Sequence, residues 1–250
     1  MHTQALPETT ESVPRFARRR AGAGRGTPSL RTLLLKRAFD ILGASVLIVA
    51  VSPLLVGVCM AILLDGGGPI FYRQERITGR PQRRRGRVDW MTERFRILKF
   101  RTMVPDADSV PLHEEFVESF VKGTAPAQAG DQPVFKLQSD PRVTKVGRFL
   151  RATSLDELPQ LFNVLGGSMS LVGPRPVPQY EVDLYEDHHR ERLAARAGIT
   201  GAWQVHGRGR VSFEEMIELD LNYVRRQSFA TDLALLARTL PAVWRKAGAR

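Results

Sequence analysis

Asp156 and Glu157 stand side by side, with Arg148 and Arg151 just upstream and Arg175 following inside Gly173-Pro174-Arg175-Pro176. Acids ringed by cations in this way suit work on a phosphate. An ionised aspartate can attack phosphorus to give an acyl phosphate, splitting one transfer into two steps. A neighbouring glutamate can share a magnesium ion that neutralises a diphosphate. The plainer alternative is a helix cap, since Ser154-x-x-Glu157 has the form of a capping box and Pro159 suits an early helical turn. On the pair alone the cap has the better claim. The cations shift the balance, because a helix N-terminus gathers unpaired amides that hold a carboxylate ionised and attract an anion.

Other residues fit the same chemistry less sharply. Lys99 and Arg101 share one face of a strand by period two and could grip phosphate oxygens. Cations on an exposed strand edge also discourage aggregation, so these two readings stand level. The prolines around Arg175 fix its backbone, whether to aim it at an anion or to stiffen a turn, and either X-Pro bond could be cis. Asp106-Ala-Asp108 is an acid-x-acid element in a polar insertion without partners. His188 and His189 are adjacent, hence not on one helix face, so no shared metal site is expected. His206 lies in a loop beside Gly207-Arg208. Gly22-Ala-Gly24-Arg-Gly26 has no strand before it and so does not read as a phosphate loop.

These residues need elements to position them. The chain of 250 residues is 43% hydrophobic, enough for a core, and carries a formal charge of +11, which favours polyanionic partners: nucleic acid, anionic lipid or phosphorylated substrates. The single cysteine, Cys59, excludes an intrachain disulfide framework or a cysteine-rich zinc site. Residues 1–35 read as a disordered basic tail. From Ile41 to Leu64 the chain is almost wholly apolar for roughly 24 residues, or about 36 Å if helical, which reaches across a bilayer. Arginines and lysines crowd both flanks, and positive charge favours the cytoplasmic side. Pro53 would kink a helix in the middle of the run, and the Ser52 hydroxyl could satisfy a freed carbonyl. Together these favour a re-entrant helix over 36–66 that enters and leaves by one face.

Residues 67–250 read as the working domain. Ile70-Phe71-Tyr72 and Phe95–Met103 predict short strands, with Arg80 to Arg94 a basic loop near anionic lipid between them. Helical patterns span 112–121, Asp156–Leu165, Tyr180–Ala197, Ser212–Arg226 and Phe229–Trp244. The last suits either an amphipathic helix in a membrane interface or a cover for the core. The fold class is an α/β mixed, helix-rich domain with a small sheet.

In order along the chain stand Lys36-Arg37-x-x-Asp40, Ser52-Pro53, Gly68-Pro-Ile-Phe-Tyr72-Arg73-Gln74-Glu75-Arg76, Lys99-Phe-Arg101-Thr-Met103 and Asp140-Pro-Arg142 through Arg151. Ser154 through Gly167, Ser170-Leu-Val-Gly173-Pro-Arg175-Pro176 and Gly198-Ile-Thr-Gly201-x-Trp203-Gln204-Val-x-Gly207-Arg208 follow. This series resembles the bacterial sugar transferases, the monotopic polyprenol-phosphate phosphoglycosyltransferases, in their short form. The resemblance implies a monotopic domain on the cytoplasmic face of the cell membrane, held by one re-entrant N-terminal helix. It implies a UDP-sugar donor, an undecaprenyl phosphate acceptor, UMP as product and Mg2+ as cofactor. Asp156 would match the nucleophile and Glu157 the second acid, both near the metal. Lys99, Arg101, Arg151 and Arg175 would meet the phosphates. Ala197 replaces the family's usual proline, and the excursion after Arg80 looks longer than typical. The rival expectation is a membrane-tethered scaffold or polyanion-binding protein without catalysis. No nucleic-acid fold signature is visible. Self-association into a homo-oligomer is compatible with the sequence and not required by it.

Overall fold

A computed structural model describes residues 29–66, 68–84, 87–104, 112–124, 142–206 and 211–248. The tail before Ser29, Asp106, Asp108, Asp140, Gly207 and Arg208 lie outside them. Helix α1 (Leu30–Leu64) contains Pro53 and is capped by Ser29, whose hydroxyl accepts from the Thr32 amide. The expected tail therefore ends earlier than residue 35: the leucine-rich turn after Ser29 is already helix. Pro53 cannot donate to Val49, four residues back. The Ser52 hydroxyl supplies that missing donor at 2.9 Å, as expected, and the helix continues through the proline.

One stripe of α1 faces the domain: Asp40, Ala44, Ile48, Val51, Leu55, Val58 and Ile62. Their spacing of three and four residues is that of one helix face. The stripe packs first on Leu161, Val164 and Leu171, then on Phe100 and Leu150. The opposite face is apolar and exposed, with Val49 at 74% and Leu42, Val46, Val56 and Met60 alongside it. An apolar surface of this extent marks contact with lipid or another protein.

Strands β1 (Phe71–Arg84) and β2 (Arg87–Phe100) form one antiparallel hairpin, with Phe71 opposite Phe100 and Arg84 opposite Arg87. The basic stretch from Arg80 to Arg94 is thus not a loop but the outer half of this hairpin. Two cross-strand pairs support it, Arg80–Glu93 at 2.8 Å and Glu75–Arg94 at 3.2 Å. Farther back, the Gly79 amide donates to the Ala195 carbonyl. A run of cations reads as solvated chain until the acids opposite it are known.

The helical remainder comprises α2 (Leu112–Val121), α3 (Lys145–Thr153), α4 (Gln160–Gly166), α5 (Gln179–Asp183), α6 (Asp187–Arg190), α7 (Ala202–His206), α8 (Phe213–Arg225) and α9 (Phe229–Gly248). The expected helix over Tyr180–Ala197 is broken into α5, α6 and a 3-10 turn over Glu191–Leu193. Short strands β3 (Ser170–Val172) and β4 (Gly198–Thr200) pair in parallel. The result is helix-rich with two small two-stranded sheets, and its long apolar N-terminal helix is compatible with monotopic membrane anchoring. Helix α9 covers the core, with Leu235 buried and Leu236 packed on it, while Phe229 and Leu233 face outward.

The N-terminal part of α1 grips the elements that flank the acidic pair. Arg37 donates to the carbonyls of Val164 and Leu165 at the end of α4, at 2.5 and 2.7 Å. Asp40 accepts from the Ser170 hydroxyl and the Leu171 amide of β3, both at 3.0 Å. Lys36 bonds the Val172 carbonyl and pairs with buried Asp232 of α9. The motif Lys36-Arg37-x-x-Asp40 is therefore a fastening between the apolar helix and the domain.

Candidate functional site

Helix α3 approaches the end of β2 so closely that a Cβ on Gly147 would lie 2.0 Å from the Thr102 carbonyl oxygen. The helix ends at Ser154, whose φ of 58° is the one positive value at a non-glycine residue among the described residues. Left-handed backbone costs such a residue about 1–2 kcal/mol, and strain of this kind tends to gather at working sites. The turn it makes carries Leu155–Glu157 into a 3-10 turn before Pro159 and α4. The expected capping box is absent: Ser154 caps the end of α3, and its side chain caps nothing. The Glu157 carboxylate, which would have closed that box, is drawn to cations instead.

Those cations come from two directions. Lys99 lies on β2 opposite Tyr72, sharing a hairpin face with Gln74–Ile97 and Arg76–Phe95. Asn163 of α4 clamps this strand, accepting from the Leu98 amide and donating to the Arg96 carbonyl, both at 2.8 Å. The clamp sets Lys99 Nζ 3.3 Å from Glu157 Oε1. Arg175 arrives from the loop after β3, and its Nη1 lies 3.5 Å from the same oxygen. The approach of β3 to β4 demands glycine, since a Cβ on Gly173 would stand 2.1 Å from the Arg196 carbonyl oxygen. No cis peptide occurs among the described residues, so both X-Pro bonds beside Arg175 are trans.

Lys99, Glu157 and Arg175 line a cleft with Arg76, Gln160, Gln204, Ile97, Pro176, Gly198 and Ile199. Burial lowers the proton affinity of Lys99; Glu157 and Asp156 oppose that, while Arg175 adds to it. Burial likewise lowers that of Arg76, again reinforced by Arg175. Three cations therefore face the cleft, against one carboxylate within it and Asp156 beside it. Such a surface suits an anion with more than one charge.

The expected site residues divide. Lys99, Glu157 and Arg175 are in the cleft. Asp156 occupies the same 3-10 turn as Glu157, half-buried. The two acids share this turn, and both act electrostatically on Lys99. Arg101 and Arg151 are not among the residues lining this cleft. Arg101 falls just past the end of β2 and reaches the Ile62 carbonyl of α1 at 3.4 Å, while Arg151 donates to the Thr102 hydroxyl at 2.9 Å. The period-two expectation that Lys99 and Arg101 act side by side fails because the strand stops at Phe100.

Arg76, Gln160 and Gln204 join the cleft although the sequence did not single them out. The signal for Arg76 lay in the period of β1, which puts it on the Lys99 face once the register is known. Nothing in the spacing marks the two glutamines. As a donor set, Asp156 and Glu157 offer the hard carboxylate oxygens that fit magnesium. Away from the cleft, His188 and His189 do approach, with ring centroids 3.8 Å apart, and their nitrogens gather around Glu214. However, His189 Nδ1 accepts from the Glu186 amide. Its Nε2 then carries the proton toward Glu214, whereas a metal-bound histidine donates from its second nitrogen. His206 is spent on the Ala202 carbonyl and Arg238.

Comparison with known proteins agrees with this geometry. A family model described as bacterial sugar transferase matches residues 31–246. The chain is 41% identical to the exopolysaccharide production protein ExoY of Sinorhizobium fredii, over 83% of this chain and 84% of that one. It is 40% identical to the undecaprenyl-phosphate galactose phosphotransferase of Salmonella typhimurium, covering 86% of this chain but 41% of the relative. It is 37% identical to the UDP-glucose:undecaprenyl-phosphate glucose-1-phosphate transferase of Caulobacter vibrioides, over 86% and 72%. The chain thus spans less than half of the longer relatives and most of the shorter ones.

Proposed function

The chain belongs to the bacterial sugar transferase family, and from that premise we propose that it transfers a sugar 1-phosphate from a UDP-sugar to undecaprenyl phosphate, initiating surface-glycan assembly. One observation carries the reading: an acid pair on a strained turn, with Glu157 between Lys99 and Arg175 in a cleft rich in cations. The names of the relatives support a polyprenyl phosphate acceptor and a galactose or glucose donor.

Asp156 is the nucleophile in this reading. Its carboxylate oxygen bonds to the sugar-bearing phosphorus, the bond to the nucleotide phosphate breaks, and UMP departs with the electron pair. An undecaprenyl phosphate oxygen then bonds to the same phosphorus and the carboxylate is released. Lys99 and Arg175 hold phosphate oxygens as charge develops on them, and Glu157 holds those two cations in place. Magnesium, held by Asp156 and Glu157, would supply charge neutralisation of the diphosphate.

The location proposed is the cytoplasmic face of the cell membrane. Its support is the exposed apolar face of α1, the basic flanks, and the fastening of α1 to the domain at both ends, through Arg37 and Asp40 at one and Asp65 at the other. A helix held this way at both ends suits re-entrant or in-plane insertion rather than a full span. The deciding experiment measures UMP release from UDP-galactose, UDP-glucose and other UDP-sugars with magnesium and undecaprenyl phosphate. Wild type is expected to release UMP with one donor and Asp156→Asn with none. Undiminished release by the variant would remove Asp156 from the chemistry. A folded wild type that releases UMP with no donor would favour a non-catalytic tether.

A further inference from the structure

Arg76 is over nine-tenths buried, yet its Nε has no hydrogen-bond partner among the described residues. Its Nη2 donates to Gln74, which is neutral. The nearby acids are engaged: Glu157 faces Lys99 and Arg175, while Glu181 accepts from Tyr185 at 2.6 Å and lies 3.6 Å from Arg192. A buried charge without a full set of partners is costly unless a ligand completes it. In the same cleft, Gln204 Oε1 is a buried acceptor that also lacks a partner. Arg76 and Gln204 thus offer the cleft an unpartnered buried donor and an unpartnered buried acceptor, which suits an anion that carries a donor group of its own.

We propose that Arg76 binds phosphate in both half-reactions, holding first the phosphate of the departing nucleotide and then the phosphate of the lipid acceptor. This rests on the two-step transfer set out above. In-line displacement at phosphorus places the leaving oxygen opposite the attacking one. In the first step the Asp156 oxygen enters and the nucleotide phosphate leaves on the far side. In the second step Asp156 is the leaving group, so the lipid phosphate must enter from that same far side. The bonds balance in each step, one P–O bond forming as one breaks, with no change of oxidation state. One anionic subsite accordingly serves two substrates in turn.

The test uses the full chain in detergent or nanodiscs, as wild type, Arg76→Gln and Arg76→Lys. UMP should raise the melting temperature of the wild type and fail to do so for Arg76→Gln. UMP release without acceptor should slow by about 10²–10³ in that variant. Discharge of the preformed phosphosugar-enzyme by undecaprenyl phosphate should slow by a similar factor, and Arg76→Lys should recover part of both. In wild type, UMP should inhibit discharge competitively with undecaprenyl phosphate. Slowing of the first step alone, or non-competitive inhibition, would overturn the shared subsite. Full rates in both steps for a folded Arg76→Gln would make Arg76 structural. If Arg76→Gln does not fold, Arg76→Lys and the competition pattern still decide. Failure of the transfer reading itself would show separately, as sugar-dependent UMP release surviving in Asp156→Asn.

Discussion

Two clusters of buried charge use the same residue types to opposite ends. Around Arg192, both charged partners are within the fold: Asp220 pairs with Nη2, and the Tyr185 hydroxyl accepts from Nη1 at 2.7 Å and donates to Glu181, while Arg192 Nε and Asp220 Oδ1 have no hydrogen-bond partner among the described residues. These side chains are at most 5% exposed, and the acids outnumber the cation. Around Glu157, the contacts are longer, at 3.3 and 3.5 Å, the side chains keep 17–26% exposure, and cations are in excess. The first cluster joins α5, the 3-10 turn at Glu191–Leu193 and α8, and nothing further can enter. The second keeps access to solvent and an excess of cations. Enclosure and the sign of the excess charge therefore separate a joint from a site, and residue identity alone does not.

The largest stability effect should come from breaking the closed cluster. Arg192→Met leaves Asp220 and Glu181 buried without their cation, and loss of one partner of a buried pair costs about 3–5 kcal/mol. Denaturant melts should show that loss, while UMP release per folded molecule stays near wild type. Replacing Arg192 and Asp220 together by apolar residues of similar volume should recover most of the stability, since the pair's desolvation cost goes with it. A stable Arg192→Met, or one that folds well and releases no UMP, would erase the distinction between the two clusters.

The open cluster should respond the other way. Lys99→Gln and Arg175→Gln each remove a cation from the cleft and should slow UMP release by about 10²–10³, equivalent to roughly 2.7–4 kcal/mol of barrier. Stability should move by no more than about 1 kcal/mol. For Lys99→Gln it should rise if it moves at all, because burial already disfavours the lysine charge. A large stability loss without a rate effect would make this cluster a joint as well.

The sequence showed the acidic pair, Arg175 with its prolines and the apolar run, because each depends on residues adjacent in the chain. It also showed what Ser52 does for Val49, since a proline's missing bond falls at a known offset. It could not show the bond from Asn163 to a strand 65 residues away in sequence, nor that Arg76 turns into the cleft. Both depend on the hairpin register, and the basic outer half of that hairpin hid its own acid partners. Ser154 misled for a different reason. The residue that caps a helix N-terminus also tolerates the end of the preceding helix, and local sequence does not rank the two. Arg101 misled because a period-two pattern carries no mark of where its strand stops.

A third charged contact sharpens the comparison by its smallness. Asp65, at the end of α1, accepts from the Val146 amide at 2.9 Å and so joins the apolar helix to the start of α3. That amide and the Thr144 hydroxyl hold its carboxyl below the usual carboxylate range, with lesser help from Lys145 and Arg101. A carboxyl depressed by folding stabilises the fold at pH values above its unfolded pKa, and the effect fades as pH falls through the folded pKa. Thermal melts of wild type and Asp65→Asn should therefore differ at neutral pH and converge in acid, below about pH 4. The gap should be the least of the three, because one accessible carboxylate is being removed and no buried charge is left behind. A gap that persists undiminished into acid would mean that Asp65 acts by shape rather than by charge. A gap as large as that of Arg192→Met would move the main fastening of α1 from its Arg37–Asp40 end to this one.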